Sequence, residues 1–146
     1  MSVLWFDGLL TRLEDAGVYF LPEEDIDELL EAAAVNHFPH LRVNLAGCAD
    51  KQDLLLRLAG VLSFPPYVAS NFDALADALG ELCQPDAPGL VLLLEHSETL
   101  RRDCSADFKP AMEVLQAASR EWAGHGRPLW TFIALDDDEF NALPAP

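Results

Sequence analysis

Three carboxylates at a fixed spacing are the residues in this chain with the clearest capacity for chemistry. Asp73, Asp77 and Glu81 fall at i, i+4 and i+8, which on a helix sets all three along one stripe. A row of anions of this kind captures cationic groups through short charge-assisted hydrogen bonds, bidentate where the partner is arginine. It is poorly suited to acid–base catalysis, because solvent-facing aspartates have no apolar surroundings to raise a pKa. From residue 58 to residue 100 the chain has no lysine or arginine, while Asp73, Asp77, Glu81, Asp86, Glu95 and Glu98 all lie there.

Other groups offer weaker chemistry. His37 and His40 have an H-x-x-H spacing, but Pro39 interrupts the helix that would align them, and they read as surface histidines. The run Asp136-Asp137-Asp138-Glu139 could engage Mg²⁺ through its oxygens, although an acidic run after a strand reads first as a solvated exit. A Mg²⁺-dependent hydrolase built on this run is the least favoured function. No G-x-S-x-G, Walker A, G-x-G-x-x-G or H-E-x-x-H motif occurs, so the expectation is a non-enzyme without cofactor or metal.

Composition narrows the partners. Nine basic against 25 acidic residues give a net charge of −16, which repels phosphate backbones and anionic membranes and attracts cationic proteins. The three cysteines are odd in number and lack C-x-x-C spacing, so neither a disulfide framework nor a zinc knuckle is expected, and a cytoplasmic location fits best. The first seven residues are apolar but carry Asp7 and no basic flank, unlike a signal peptide. No stretch approaches the ~20 apolar residues of a membrane span.

The elements that must position the acidic stripe follow from periodicity. Val3, Phe6, Leu10 and Leu13 predict an N-terminal amphipathic helix closed by Gly17. Helices are expected over residues 25–35 (Ile26, Leu29, Leu30 and Ala33 inward), 51–63 (Leu54, Leu55, Leu58, Val61 and Leu62 inward) and 72–82. A last long helix is expected over 108–123, with Phe108, Met112, Leu115, Ser119 and Trp122 on one face and Pro110 in its first turn. Asp50 and Asp53 form a capping-box-like start for the second of these, and Ser70 or Asn71 caps the third, whose apolar stripe is Phe72, Leu75, Leu79 and Leu82.

Strands are expected over 41–46, 90–94 and 129–135, with a shorter candidate at 18–21. Each return path contains a helix, which predicts an α/β domain with a small three-stranded parallel sheet and right-handed crossovers. Residues 1–40 then form a helix, strand and helix extension packed on the same domain, and residues 41–146 the principal unit.

The turn and helix carry a family signature. Pro65-Pro66-Tyr67 followed by Asn71-Phe72-Asp73-Ala74-Leu75-Ala76-Asp77 resembles the Pro-x-Tyr turn and Asn-x-Asp-Ala-Leu-x-Asp helix of the barstar family. The resemblance extends more weakly from about Leu41 to Leu135, through the apolar strand ending at Glu95 and the Val114-Leu115-Gln116 segment. It implies a small inhibitor, an immunity protein of the toxin–antitoxin kind, that occludes a ribonuclease active site with an acidic helix and the preceding turn. The alternative is a regulatory interaction domain for another cationic protein.

On this basis Tyr67, Asn71, Asp73 and Asp77 match the family's contact positions. Asp77 matches its strongest contact, itself a standard example of an interface hot spot. A further family acid falls on Arg120 or Glu121 according to a one-residue register, with Glu121 favoured. The full expected surface is Tyr67, Val68, Ala69, Asn71, Asp73, Ala76, Asp77, Glu81 and Glu121. Ala69 and Ala76 stand where the family often has glycine and tryptophan, which reduces aromatic contact area. The expected partner is a basic ribonuclease, met by a monomer, with no direct role for nucleic acid or membrane.

Overall fold

The structure, a computed structural model, describes residues 3–143, and the side chains from Phe6 onward. Val3 therefore contributes backbone only, and its place on the predicted apolar face lies outside the described residues. The elements in chain order are α1 (Val3–Leu10), β1 (Val18–Pro22), α2 (Ile26–Val35), β2 (His40–Asn44), α3 (Lys51–Val61), α4 (Phe72–Glu81), β3 (Leu90–Glu95), α5 (Glu98–Asp103), α6 (Ser105–Gly124), β4 (Leu129–Leu135) and α7 (Asp137–Asn141). Short 3₁₀ turns occur at Leu13–Asp15, Glu23–Asp25 and Pro66–Ser70. No described helix is long and apolar enough to cross a membrane.

The sheet is parallel but has four strands, not three, in the order β1-β4-β3-β2. The additional strand is the short Val18 segment, which pairs with β4 from Val18↔Thr131 to Pro22↔Leu135. The strand itself is expected at 18–21, but its place in the sheet is not: five residues carry no sign of their partner, and the edge of β4 supplies the backbone hydrogen bonds that draw them in.

Helices cover both faces, as near-continuous apolar strands require. On one face Leu90, Leu92 and Leu94 of β3 pack with Leu54, Leu55 and Leu58 of α3, Leu75 and Leu79 of α4, and Leu115 and Trp122 of α6. On the other, Val91 and Leu93 join Trp130 and Phe132 of β4, Leu29 and Ala33 of α2, and Leu9 and Leu10 of α1. Each fully buried leucine contributes about 1.5–3 kcal/mol, so β3 alone locks the sheet between its two helical layers. Gly89 makes the sheet's entry possible: its φ is +132°, and a Cβ there would lie 2.9 Å from the Pro128 carbonyl oxygen.

Local chemistry sets the boundaries. Asp50 caps α3 by accepting from the Asp53 N–H at 2.8 Å, but Asp53 does not close the box; its carboxylate holds Arg57 instead, at 3.0 and 2.9 Å. Arg57 also donates to the carbonyls of Asn44 and Ala46, tying the end of β2 to α3.

Two expectations need correction, and two short helices are additional. Helix α1 stops at Leu10, and Leu13 belongs to a separate 3₁₀ turn. Helix α6 begins at Ser105, so Pro110 is its sixth residue and lies one turn inside the helix. The segments 98–103 and 137–141, lacking a long apolar period, form the short helices α5 and α7.

Candidate functional site

The acidic stripe begins from a rigid lead-in. Pro65 and Pro66 restrict the backbone entering the Pro66–Ser70 turn, whose Val68 and Ala69 side chains are only 1% and 2% exposed and sit in the core. The Gln52 amide of α3 donates to the Ala69 carbonyl at 3.3 Å and fastens the turn from below. Val68 and Ala69, expected on the contact face, thus serve chiefly as anchors, because burying them is what turns Tyr67 outward, 70% exposed.

Asn71, rather than Ser70, caps α4, its side-chain oxygen accepting from the Ala74 N–H at 2.7 Å. Ser70 instead donates from its hydroxyl to the Tyr67 carbonyl, within the turn. The cap fixes the phase of α4. Leu75, Ala78 and Leu79 face the core, Phe72 packs against it with the Lys51 ammonium 5.0 Å from its ring centre, and Asp73, Asp77 and Glu81 are exposed. Among the described residues none of the three acids forms an ion pair. Five of the seven arginines are paired with other acids: Arg42 with Glu95, Arg57 with Asp53, Arg101 with Glu139, Arg102 with Asp103 and Arg12 with Asp15.

A second helix completes the surface. Trp122 of α6 is buried, and its indole N–H donates to the Leu79 carbonyl at 2.9 Å, which fixes α6 against the C-terminal half of α4. The preceding residue, Glu121, is thereby directed at Gly80, its two carboxylate oxygens 3.0 Å from where a Cβ on Gly80 would be. Glu121, Ala76, Asp77, Gly80 and Glu81 line an open polar hollow of about 460 Å³. Tyr67, Val68, Ala74, Asp77, Ala78 and Glu81 line a neighbouring one of about 200 Å³. Asp77 and Glu81 belong to both. Arg120 is exposed and lines neither.

The expected stripe is therefore the wall of a concave, two-helix surface. Asp77 and Glu81 at i,i+4 repel by a few tenths of a kcal/mol, a strain that an incoming cation relieves. Gly80 was not anticipated, and its signal in the sequence is modest. It follows Ala76 by one turn, so two small residues alternate with the acids and leave the floor of the hollow open. A further hollow, mostly apolar and about 380 Å³, lies between β1 and α6 and shares no residue with this surface.

The remaining candidates stand apart. His40 opens β2 and His37 precedes it with φ +59°, both exposed and on no common helix. In the acidic run, Asp136 caps α7 by accepting from the Glu139 N–H at 2.7 Å, and Glu139 binds Arg101 at 2.6 and 3.3 Å.

Comparison with known proteins decides the family. The family profile described as "Barstar (barnase inhibitor)" matches residues 38–134. The chain belongs to the barstar family. The match contains the turn, α4 and α6, and so every residue of the expected surface. A search of curated proteins finds no match. Among solved structures the chain is similar to "Structure of the Aeropyrum Pernix ORC2 protein (ADPNP-ADP complexes)", with a TM-score of 0.60 and 14% sequence identity. The similarity covers 93% of this chain and 40% of that one. At that identity the likeness concerns the arrangement of sheet and helices alone. In this member of the barstar family, β2, β3 and all of β4 but its last residue fall within the matched segment, and β1 precedes it.

Proposed function

We propose that this chain inhibits a basic ribonuclease by laying the 66–70 turn and α4 over the enzyme's active site. The observation that carries the reading is the convergence of Asp77, Glu81 and Glu121, all exposed and, among the described residues, in no ion pair, around one hollow in a member of the barstar family. A ribonuclease cleft is lined with cations that grip RNA phosphates, and carboxylates held at fixed positions substitute for those phosphates. Tyr67, Asn71, Asp73, Asp77, Glu81 and Glu121 are the proposed contacts, with Ala76 and Gly80 leaving room for an inserted arginine or lysine. The chain acts as an immunity protein in the cytoplasm and meets the nuclease as a monomer; its free cysteines, Cys48, Cys83 and Cys104, fit a reducing compartment. It performs no catalysis of its own. The described residues before β2 serve the scaffold, contributing α1, β1 and α2.

A second reading has its own support. Ala76 replaces an aromatic residue frequent in the family, and the resulting open hollow suits a differently shaped cationic protein. The two readings separate when the purified chain is titrated into a panel of basic microbial ribonucleases. Loss of RNA cleavage reaching completion at one equivalent supports inhibition. Undiminished cleavage across the panel, together with capture of a non-nuclease cationic protein from the native host, would favour the second.

A further inference from the structure

At the carboxyl ends of the strands, away from the acids of α4, a different donor set converges. Glu23 immediately follows β1, His96 immediately follows β3, and Glu98 opens α5. Strands β1 and β3 flank β4 on either side, so Glu23 and His96 approach each other across the end of β4. One ligand atom from each of the three residues lies within 4.8 Å of the other two. Among the described residues this is the one group of three or more His, Cys, Asp or Glu side chains that converges in this way. Among the described residues, no side-chain hydrogen bond or ion pair engages any of the three. Asp136, the first residue beyond β4, spends its carboxylate on capping α7.

We propose that Glu23, His96 and Glu98 form a binding site for a divalent transition-metal ion, zinc being the biological representative. Two carboxylates brought this close without a compensating donor repel, and a dication between them reverses that sign. The imidazole selects the class of metal: Mg²⁺ and Ca²⁺ prefer all-oxygen shells of six or more ligands, whereas one nitrogen and two carboxylate oxygens suit zinc and its first-row neighbours. Zinc holds such ligands at about 2.0–2.2 Å, which requires donor atoms about 3.3 Å apart. Rotation of the two glutamate side chains closes the remaining distance, since Glu23 and His96 are exposed and Glu98 is half-buried. Three protein donors leave a fourth position to water. The ion would brace the ends of β1 and β3 across β4, joining the strand outside the family match to the matched sheet.

The test is titration of the full-length chain with Co²⁺ under reducing conditions, followed by displacement with Zn²⁺. One saturable site in the micromolar range is expected, with visible bands of a nitrogen–oxygen shell and no thiolate charge-transfer band. His96→Ala and Glu23→Gln should each weaken it at least tenfold, while His40→Ala leaves it unchanged. In the unsubstituted chain, Zn²⁺ should shift the His96 imidazole resonances ahead of those of His37 and His40, a measurement independent of whether any variant folds. Absence of saturable binding, a thiolate band, or a titration unaltered by substitution of all three residues overturns the proposal.

Discussion

The carboxylate of Glu121 occupies the space that a side chain on Gly80 would need, both of its oxygens lying 3.0 Å from that virtual Cβ. Two helices far apart in sequence are so joined into one acidic hollow, and the contact can be altered without touching the core. Gly80→Ala should strengthen α4, since glycine costs a helix about 0.8–1.0 kcal/mol relative to alanine, less whatever Glu121 loses in moving aside. Ribonuclease inhibition should weaken severalfold as Glu121 is displaced. Thermal melting and an inhibition constant on the same sample check both. A variant that melts no lower and inhibits just as well would separate Glu121 from the contact surface.

Asp77 lies between the two hollows, with Asp73 one turn before it and Glu81 one turn after. Asp77→Ala should weaken the nuclease complex at least tenfold, or about 1.4 kcal/mol, and by more than Glu81→Ala. Raising the salt should slow association far more than it speeds dissociation, because screening acts on the long-range attraction. Stopped-flow association rates at several ionic strengths measure this. A larger effect at Glu81 than at Asp77 would count against the assigned register.

Asn71 contributes to stability and to presentation together. Asn71→Ala removes the acceptor for the Ala74 N–H and should cost about 1 kcal/mol, within the usual 0.5–2 kcal/mol for such caps. Asn71→Asp keeps the acceptor and should preserve the fold. Denaturant unfolding of both variants provides the comparison.

Cys104 and Asp107 give a pH-dependent signature. The Cys104 thiol donates to the Asp107 carboxylate at 3.0 Å, and that hydrogen bond, followed by burial, raises the thiol above its ordinary value of 9.0. The folded state therefore favours the neutral thiol. The resulting stability is fully present below pH 9.0 and is lost as pH rises through the folded-state value. At pH 8 the thiolate fraction is smaller than in an unperturbed cysteine. Asp107→Ala should lower the pKa and accelerate alkylation of Cys104, read by mass spectrometry against Cys48. Burial raises the Cys48 thiol as well, and it should react slowly in both proteins.

The long-period segments were legible before any coordinates. Leu54, Leu55 and Leu58, or Leu75 and Leu79, recur at a spacing only a helix turns to one side, and the unbroken apolar run 90–94 matches a strand covered twice. The strand over 129–135 coincides with β4 residue for residue. Asp73, Asp77 and Glu81 were fixed relative to one another by the same periodicity, and a cap at Ser70 or Asn71 follows from side-chain type.

Relations between segments were settled by tertiary structure. The residues at 18–22 became a fourth strand because β4 offered an unpaired edge, and nothing within those five residues encodes that edge. Tyr67 and Val68 differ little in local pattern, yet packing of the turn on α3 sends one into solvent and the other into the core. Arg120 and Glu121 are neighbours on one helix, and the Trp122 bond to Leu79 determines which of them faces the acids of α4. Helical period and capping are written within a few residues of each position, whereas partners across the fold are chosen by the fit of surfaces that exist only once the chain has closed.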